Sequence, residues 1–235
     1  MKHLLLTTIA ALVLVGCGEK QESATAPDIS IHTAIIDGNI EAVKQHLDAD
    51  ADVNALDDEG NTPLHHAVYN DQTEIIRLLI DKGADVNGKR KAANHEKGVT
   101  PLHEATWRST IETMELLIDN GADVNMKRAD GAIALHYAVW FGLKEQTEFL
   151  LSKGSDVKAR DGDNDGATPL HLAVMRSPNN GIIELLVANE SDVNDMDDSG
   201  KTPLDWAIEV DEPEIAALLR KHRAKTREEL KAERK

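Results

Sequence analysis

A four-residue motif returns along the chain at nearly constant spacing, and this repetition limits what the chain can fold into. Thr-Pro-Leu-His begins at Thr62, Thr100 and Thr168. With one copy that carries Asp in place of His and two degenerate copies, the motif starts at Ile29, Thr62, Thr100, Ile133, Thr168 and Thr202. The steps between these starts are 33, 38, 33, 35 and 34 residues. A period in this range indicates a stack of similar supersecondary units.

The start of one unit has the pattern of a short helix. Thr62 is a favourable N-cap, and Pro63 suits the first helical position because its missing N–H would be unsatisfied there anyway. Leu64, Ala67 and Val68 follow at helical spacing and form one apolar stripe. The sequence therefore predicts a helix that buries the third, sixth and seventh residues of each unit.

A second amphipathic helix follows within the same unit. Ile75, Ile76, Leu78 and Leu79 form its apolar face, and Gly83 ends it in a left-handed conformation. One such helix pair is too small to bury its own apolar face, so neighbouring copies must supply the core.

The opening motif, together with the closing motif Gly-Ala-Asp-Val-Asn at residues 83–87 and 121–125, resembles the ankyrin repeat over residues 28–222. The resemblance implies an all-α solenoid of helix-turn-helix units with β-turn fingers, forming a single elongated array. The expected units are 28–60, 61–99, 100–131, 132–166, 167–200 and 201–222. Residues 223–235 are expected to form a charged helix that caps the open end.

The first 27 residues have a different composition from the repeats. Residues 1–16 have a basic start and a short apolar run, and Leu-Val-Gly-Cys at 14–17 resembles a bacterial lipobox. This predicts a lipoprotein signal peptide, acylation of Cys17 and a flexible tether over 17–27. The alternative is an ordinary secretory signal with an incidental cysteine. A lipid-anchored protein of the cell envelope is expected, and Gly18 favours the periplasmic face of the outer membrane if the host is Gram-negative.

The charge of the chain restricts its partners. The formal net charge is −16 at pH 7, which argues against nucleic acid and against direct adsorption to anionic lipid. It favours a protein partner, and a basic protein would complement it. We expect a monomer whose contact with a membrane is through the lipid alone.

No residue set in the sequence converges on catalysis. The histidines at the fourth position of five units are spread one per unit, which suits a structural role at each helix start: His32, His65, His103, His136 and His171. Metalloprotease, phosphate-loop and serine-nucleophile motifs are absent from the sequence. We therefore expect a protein that is not an enzyme and uses no cofactor.

Two irregular loops carry alternative interpretations. The loop at 88–99 is longer than its counterparts and basic, which fits either a binding edge or a tolerated insertion. The loop with Asp161, Asp163 and Asp165 matches half of a calcium-binding loop, but its twelfth position is Leu172 instead of an acid. These three aspartates are the only metal candidates that the sequence offers.

The eighth residue of each unit concentrates large side chains in a chain with only seven aromatic residues. The column reads Ile36, Tyr69, Trp107, Trp140, Met175 and Glu209. The fifth, eighth and ninth positions are expected to face solvent, so Tyr137 and Phe141 belong to the same surface. In ankyrin proteins this surface is concave and meets the ligand. Alternatively, these side chains stiffen the array by packing on one another or on the finger turns.

The function that follows is non-catalytic protein binding through that surface. Aromatic anchors at Tyr69, Trp107, Trp140 and Phe141 would act with Arg108 and Arg176 as specificity residues. Two other hypotheses remain open: an inhibitor or immunity protein that neutralises a toxin or envelope enzyme, and a calcium-dependent adaptor.

Overall fold

The computed structural model describes residues 27–92, 98–108, 110–175 and 180–233, and these form α-helices joined by turns, without a β-strand. Cys17 and the expected signal peptide and tether, apart from Pro27, lie outside the described residues. The helices are α1 Ile31–Ile36, α2 Ile40–Asp48, α3 Pro63–Tyr69, α4 Thr73–Asp81, α5 Pro101–Arg108, α6 Ile111–Asp119, α7 Ala134–Trp140, α8 Lys144–Ser152, α9 Pro169–Met175, α10 Asn180–Ala188, α11 Pro203–Glu209, α12 Pro213–Lys221 and α13 Arg227–Glu233.

The helices form six consecutive pairs followed by α13. The first helices of the pairs (α1, α3, α5, α7, α9 and α11) pack side by side in chain order, and α8 packs against α10. The predicted all-α repeat array is confirmed. None of the helices in the described part of the chain has the length and apolar character needed to cross a bilayer.

The core lies between the two layers of helices. The third residue of every unit from the second onward is buried: Leu64, Leu102, Leu135, Leu170 and Leu204. Small alanines such as Ala67 and Ala105 are fully buried where adjacent first helices meet. The sequence pattern therefore positions the core correctly, because a unit can remove its apolar stripe from water only against its neighbours.

Five of the six first helices begin with a histidine that contacts the segment leading to the next unit, and α11 has Asp205 at this position. His65 Nδ1 lies 2.8 Å from Thr62 Oγ1, and its Nε2 lies 3.1 Å from the carbonyl oxygen of Val99, just before the next unit. His103 and His171 make the same link, to the carbonyl oxygens of Ala132 and Lys201, while His32 and His136 contact the carbonyl oxygens of Ala55 and Ala159, just after the closing turns of their own units. These histidines are part of the framework that joins the stack.

A second set of links joins the closing turns. Asn87 Nδ2 donates to the carbonyl oxygen of Gly121 at 2.9 Å, and the N–H of Asp123 donates back to Asn87 Oδ1 at 2.8 Å. The same reciprocal pair is formed by Asn54, Asn125 and Asn194. Lys158 occupies this position in the fourth unit and, within the described residues, its side chain makes no such link.

The last helix closes the open end of the stack. Thr202 and Asp205 form a capping box at the start of α11. Thr202 Oγ1 also donates to the carbonyl oxygen of Lys225 at 2.9 Å, and the N–H of Arg227 donates to Asp205 at 2.8 Å. The start of α11 thereby holds α13 where a seventh unit would otherwise begin.

Candidate functional site

The turn that precedes each first helix forms a finger, and the finger is fastened to the helix by one contact. We call this contact the clasp: it joins the first residue of the turn to the fifth residue of the unit. Asp57 Oδ2 lies 2.6 Å from His66 Nε2, and Arg90 Nη2 lies 3.3 Å from Glu104 Oε2. In these two units the side chains that form the clasp are complementary: histidine with aspartate, and arginine with glutamate.

Two further units form the clasp with different side chains. Arg128 donates to the hydroxyl of Tyr137, and Trp206 Nε1 donates to Asp197 Oδ2 at 2.7 Å. The expectation that the fifth position faces solvent is wrong, since the fingers fold over it. Glu104 is only 1% exposed, and Tyr137 and Trp206 are half-buried.

The fifth unit lacks a clasp because its fifth residue is Leu172, which cannot donate a hydrogen bond. The carboxylate of Asp161 is instead engaged within its own turn, by the N–H of Asp163 and by Asn164 Nδ2. A pocket of about 180 Å³ lies between this finger and the helices. Its apolar lining comes from Ala132, Tyr137, Trp140, Phe141 and Leu172.

Side chains from three consecutive units form a stacked row on the same surface, which we call the aromatic ladder: Tyr69, Arg108, Trp107, Phe141 and Tyr137. The Arg108 guanidinium carbon lies 4.4 Å from the centre of the Tyr69 ring and 4.2 Å from that of Trp107. The Trp107 and Phe141 rings stack with centres 5.9 Å apart and an interplanar angle of 10°. Tyr137 and Phe141 have ring centres 6.4 Å apart.

The predicted binding residues differ in exposure. Tyr69, Phe141 and Met175 are exposed, at 45%, 49% and 44%, whereas Trp107 and Trp140 are half-buried. Ladder residues thus pack on one another, as the stiffening alternative requires, and still leave a large apolar area open to solvent. Arg176 and Cys17 lie outside the described residues, so their predicted roles stay predictions.

A second pocket lies beside the other end of the aromatic ladder. It has a volume of about 460 Å³ and is bounded by Ile36, Tyr69, Trp107 and Arg108 on the helix side, with Asn61 on the finger side. The two pockets and the aromatic ladder together form a groove between the fingers and the first helices.

The calcium candidates do not form a ligand set in the structure. Asp161 is buried and hydrogen-bonded within its turn, while Asp163 lies 3.7 Å from Arg128. Among the described residues, no three histidine, aspartate or glutamate side chains are placed to hold a metal ion. Asp165 adopts a left-handed backbone that serves the turn.

The buried histidines are held in their neutral form. Burial lowers the pKa of His65 to about 4 and that of His103 to about 3. Burial also lowers the pKa of His136 and His171. A neutral ring can donate from one nitrogen and accept at the other, which suits its two contacts at the helix start.

This architecture defines a helical-hairpin repeat protein with a groove along one face. Comparison with known protein families identifies which family of repeat proteins this is. The family model described as Ankyrin repeats (3 copies) matches residues 6–90, 31–128, 88–161 and 135–229. The chain belongs to the ankyrin-repeat family.

Three relatives are similar to the whole or to part of this chain. Neurogenic locus notch homolog protein 2 of Homo sapiens is 31% identical over 217 residues, which cover 92% of this chain and 6% of the relative. Protein phosphatase 1 regulatory subunit 27 of Mus musculus is 40% identical over 67 residues, covering 28% of this chain and 41% of the relative. Ankyrin repeat-containing protein P1E11.10 of Schizosaccharomyces pombe is 38% identical over 65 residues, which cover 28% of this chain and 30% of the relative. The chain spans less than half the length of each of these relatives.

Ankyrin repeats generally mediate protein–protein interaction, and the family is typically non-catalytic. The coarse functional class of this chain is therefore a protein-binding repeat array.

Proposed function

We propose that this chain is a non-catalytic binding module that holds a partner protein in the groove formed by the aromatic ladder and its two flanking pockets. One observation carries the proposal. The rarest residue class of the chain is concentrated in one stacked, exposed row that crosses three repeats. Rigid aromatic and arginine side chains are the residues that dominate the binding energy of protein interfaces.

The aromatic ladder is also pre-organised. Stacking of Trp107 on Phe141 and of Arg108 on two rings fixes these side chains before a partner arrives. A side chain that is already ordered loses less conformational freedom on binding. The stiffening role and the binding role therefore support each other.

The test is affinity capture with chemical crosslinking, using the wild-type chain beside the double variant Trp107→Ala, Trp140→Ala. We expect the captured partner to be lost from the double variant, with affinity reduced at least about tenfold, since truncating an anchor costs on the order of 2 kcal/mol. Phe149→Ala is the matched control, because Phe149 is a half-buried aromatic residue on the second helix α8. A partner retained equally by the double variant and the control would exclude the groove as the binding site.

The same capture experiment separates a scaffold from an inhibitor. If the captured partner is a toxin or an envelope enzyme, its activity is measured with and without the chain. A loss of activity that requires Trp107 and Trp140 would assign the chain to the inhibitor class. If the partner's activity is unchanged in the complex, the result supports a scaffold role for the chain.

The lipid anchor is a separate part of the proposal. It rests on the lipobox-like sequence before Cys17 and on the short apolar run that precedes it. Several acyl chains at this cysteine would hold the array at a membrane of the cell envelope, and in a Gram-negative host Gly18 favours the periplasmic face of the outer membrane. Metabolic labelling with a palmitate analogue, followed by membrane fractionation, tests it. Cys17→Ser should abolish the label and release the protein from the membrane, and a labelled Cys17→Ser variant would refute the anchor.

A further inference from the structure

We infer that the groove recognises an acidic segment of its partner, in which one carboxylate pairs with Arg108 and an apolar side chain about two repeats away fills the pocket above Leu172. This inference rests on the proposed protein-binding function and names the chemistry of the partner. It also reverses the expectation, drawn from net charge alone, of a basic partner.

Arg108 has the geometry of a carboxylate receptor. Its guanidinium is exposed and held between the rings of Tyr69 and Trp107. Within the described residues, no carboxylate of this chain pairs with it. Stacking leaves the in-plane N–H groups of a guanidinium free, and these N–H groups bind a carboxylate in bidentate fashion.

The pocket beside Arg108 contains Glu59, Arg90 and Glu104, of which Arg90 and Glu104 pair with each other, and lysines on the neighbouring fingers add positive charge. Lys89, Lys91 and Lys127 are exposed on the two fingers on either side of α5, and Lys89 Nζ donates to the carbonyl oxygen of Lys127 at 2.8 Å. In the described part of the chain these lysines also have no carboxylate partner. Together with Arg108, these finger lysines favour an acidic ligand at this end of the groove, although the chain as a whole has a net charge of −16.

The apolar contact point exists because the fifth unit lacks its clasp. In the last unit an aromatic fifth residue occupies this space, as Trp206 does where it donates to Asp197. Leu172 leaves about 180 Å³ open beside Trp140 and Phe141. A partner's leucine or phenylalanine side chain would occupy the space that a clasp residue fills in the other units.

The aromatic ladder fixes the spacing between the two contact points. Trp107 stacks on Phe141, so the Arg108 end and the pocket end are joined by a continuous apolar surface. Adjacent helices of such a stack are about 10 Å apart, so the two contact points, about two helices apart, are separated by about six residues of extended peptide. The ligand motif is therefore Asp or Glu followed or preceded, about six residues away, by a large apolar residue.

A peptide-display selection tests this motif with a defined probe. Random linear peptides of about a dozen residues are selected against the immobilised full chain, and the most enriched peptide is synthesised for affinity measurement. We expect enrichment of the acidic and apolar pair at the stated spacing. Arg108→Ala should weaken the synthetic peptide about tenfold or more, because it removes a charge-assisted bidentate contact. Arg108→Glu should shift a repeated selection towards Lys and Arg.

The matched control is Arg77→Ala, which removes an exposed arginine on the second helix α4 and should leave affinity unchanged. Circular dichroism should show that all variants keep the helical fold, since both arginines are exposed. Enriched peptides without acidic residues, or peptides bound equally by Arg108→Ala, would overturn the inference. It would also be overturned by a single-stranded oligonucleotide that displaces the peptide at lower concentration, or by self-association of the chain that Arg108→Ala abolishes.

The outcomes distinguish the inference from the proposed function. Peptides that lack acids but are lost from the Trp107→Ala, Trp140→Ala variant would refute the role of Arg108 and leave the groove as the binding site. Peptides insensitive to all these substitutions, or a failure to enrich any peptide, would count against both.

Discussion

His66 Nε2 and Asp57 Oδ2 lie 2.6 Å apart, and this contact fastens the first finger to helix α3. Burial alone would raise the pKa of Asp57, but hydrogen bonds from His66 and from Asn61 outweigh it and lower that pKa from 3.8 to about 2. The ionised carboxylate therefore contributes stability above pH 3.8, and this contribution is lost as the pH falls towards about 2.

The first prediction concerns this clasp. His66→Ala should lower the free energy of unfolding by about 1–2 kcal/mol, since it removes a hydrogen bond to a charged group while Asn61 still satisfies Asp57. Urea denaturation at neutral pH measures the change. His222→Ala is the control, because within the described residues the His222 ring forms no hydrogen bond. Equal losses in the two variants would show that the clasp adds no stability.

The buried histidines predict a steep loss of stability in mild acid. A pKa lowered in the folded state means that the unfolded chain binds protons first, so stability is complete above pH 6.5 and falls as the pH drops towards about 4 for His65. Each such histidine lowers the free energy of unfolding by up to about 1.4 kcal/mol for every pH unit of acidification in that range. His103, His136 and His171 should add to the slope, as burial lowers their pKa in the same direction.

Urea denaturation between pH 7.5 and 5.5 checks this slope, about where the unfolded histidines take up protons. Replacing His65 by Gln, which cannot titrate, should reduce the slope by the contribution of one proton. A free energy of unfolding that stays constant across this range would mean that the histidine rings take up protons in the folded chain as readily as in the unfolded chain.

Two buried serines are predicted to lower the stability of the fold. Ser155 and Ser191 are buried and, within the described residues, their hydroxyl oxygens have no hydrogen-bond partner, whereas Ala84 and Ala122 occupy the same position in other units. A buried unsatisfied hydroxyl costs about 1 kcal/mol or more, so Ser155→Ala and Ser191→Ala should each raise stability by about that amount. The reverse change Ala84→Ser should lower it. Thermal and urea denaturation measure all three, and a loss on either Ser→Ala change would reveal a hydrogen bond that the structure does not show.

Completing the missing clasp should close the apolar pocket. Leu172→Trp places an indole N–H under the finger, where it can donate to Asp161 as Trp206 does to Asp197. We expect a gain in stability on the order of 1 kcal/mol together with loss of the groove's apolar contact point. Leu172→Met keeps the side-chain volume without a donor and serves as the control. A Leu172→Trp variant that is less stable than this control would show that the pocket cannot hold the ring.

Much of this molecule follows from sequence pattern alone, and the rest depends on contacts between units. Periodicity predicts the helix pairs, Thr62 and Pro63 predict a helix start, and Gly83 predicts a left-handed helix end, which has φ of 90° in the structure. These features are local, so a single unit specifies them. The fifth position could not be read in this way, because the finger that buries Glu104 comes from residues outside its helix.

The candidate site illustrates the same limit. The column of large residues at the eighth position is visible in the sequence, but the insertion of Arg108 between Tyr69 and Trp107 depends on side-chain directions in two neighbouring units. A signal for the clasps was nevertheless available. Asp57 with His66, and Arg90 with Glu104, pair complementary groups at equivalent positions of two units, and aligning the units on both positions together would have revealed them.

Within the described residues, the joint between the fourth and fifth repeats is the one place where the asparagine link and the clasp are both missing. Lys158 replaces the bridging asparagine, and Leu172 cannot clasp its finger. In a linear array, cooperativity passes only through neighbouring interfaces, so a weak interface divides the unfolding transition. Denaturation should then proceed through an intermediate in which one block has melted and the other persists. The pocket that Leu172 leaves open lies at this boundary, so an occupant bound there would couple the two blocks into a single cooperative unit.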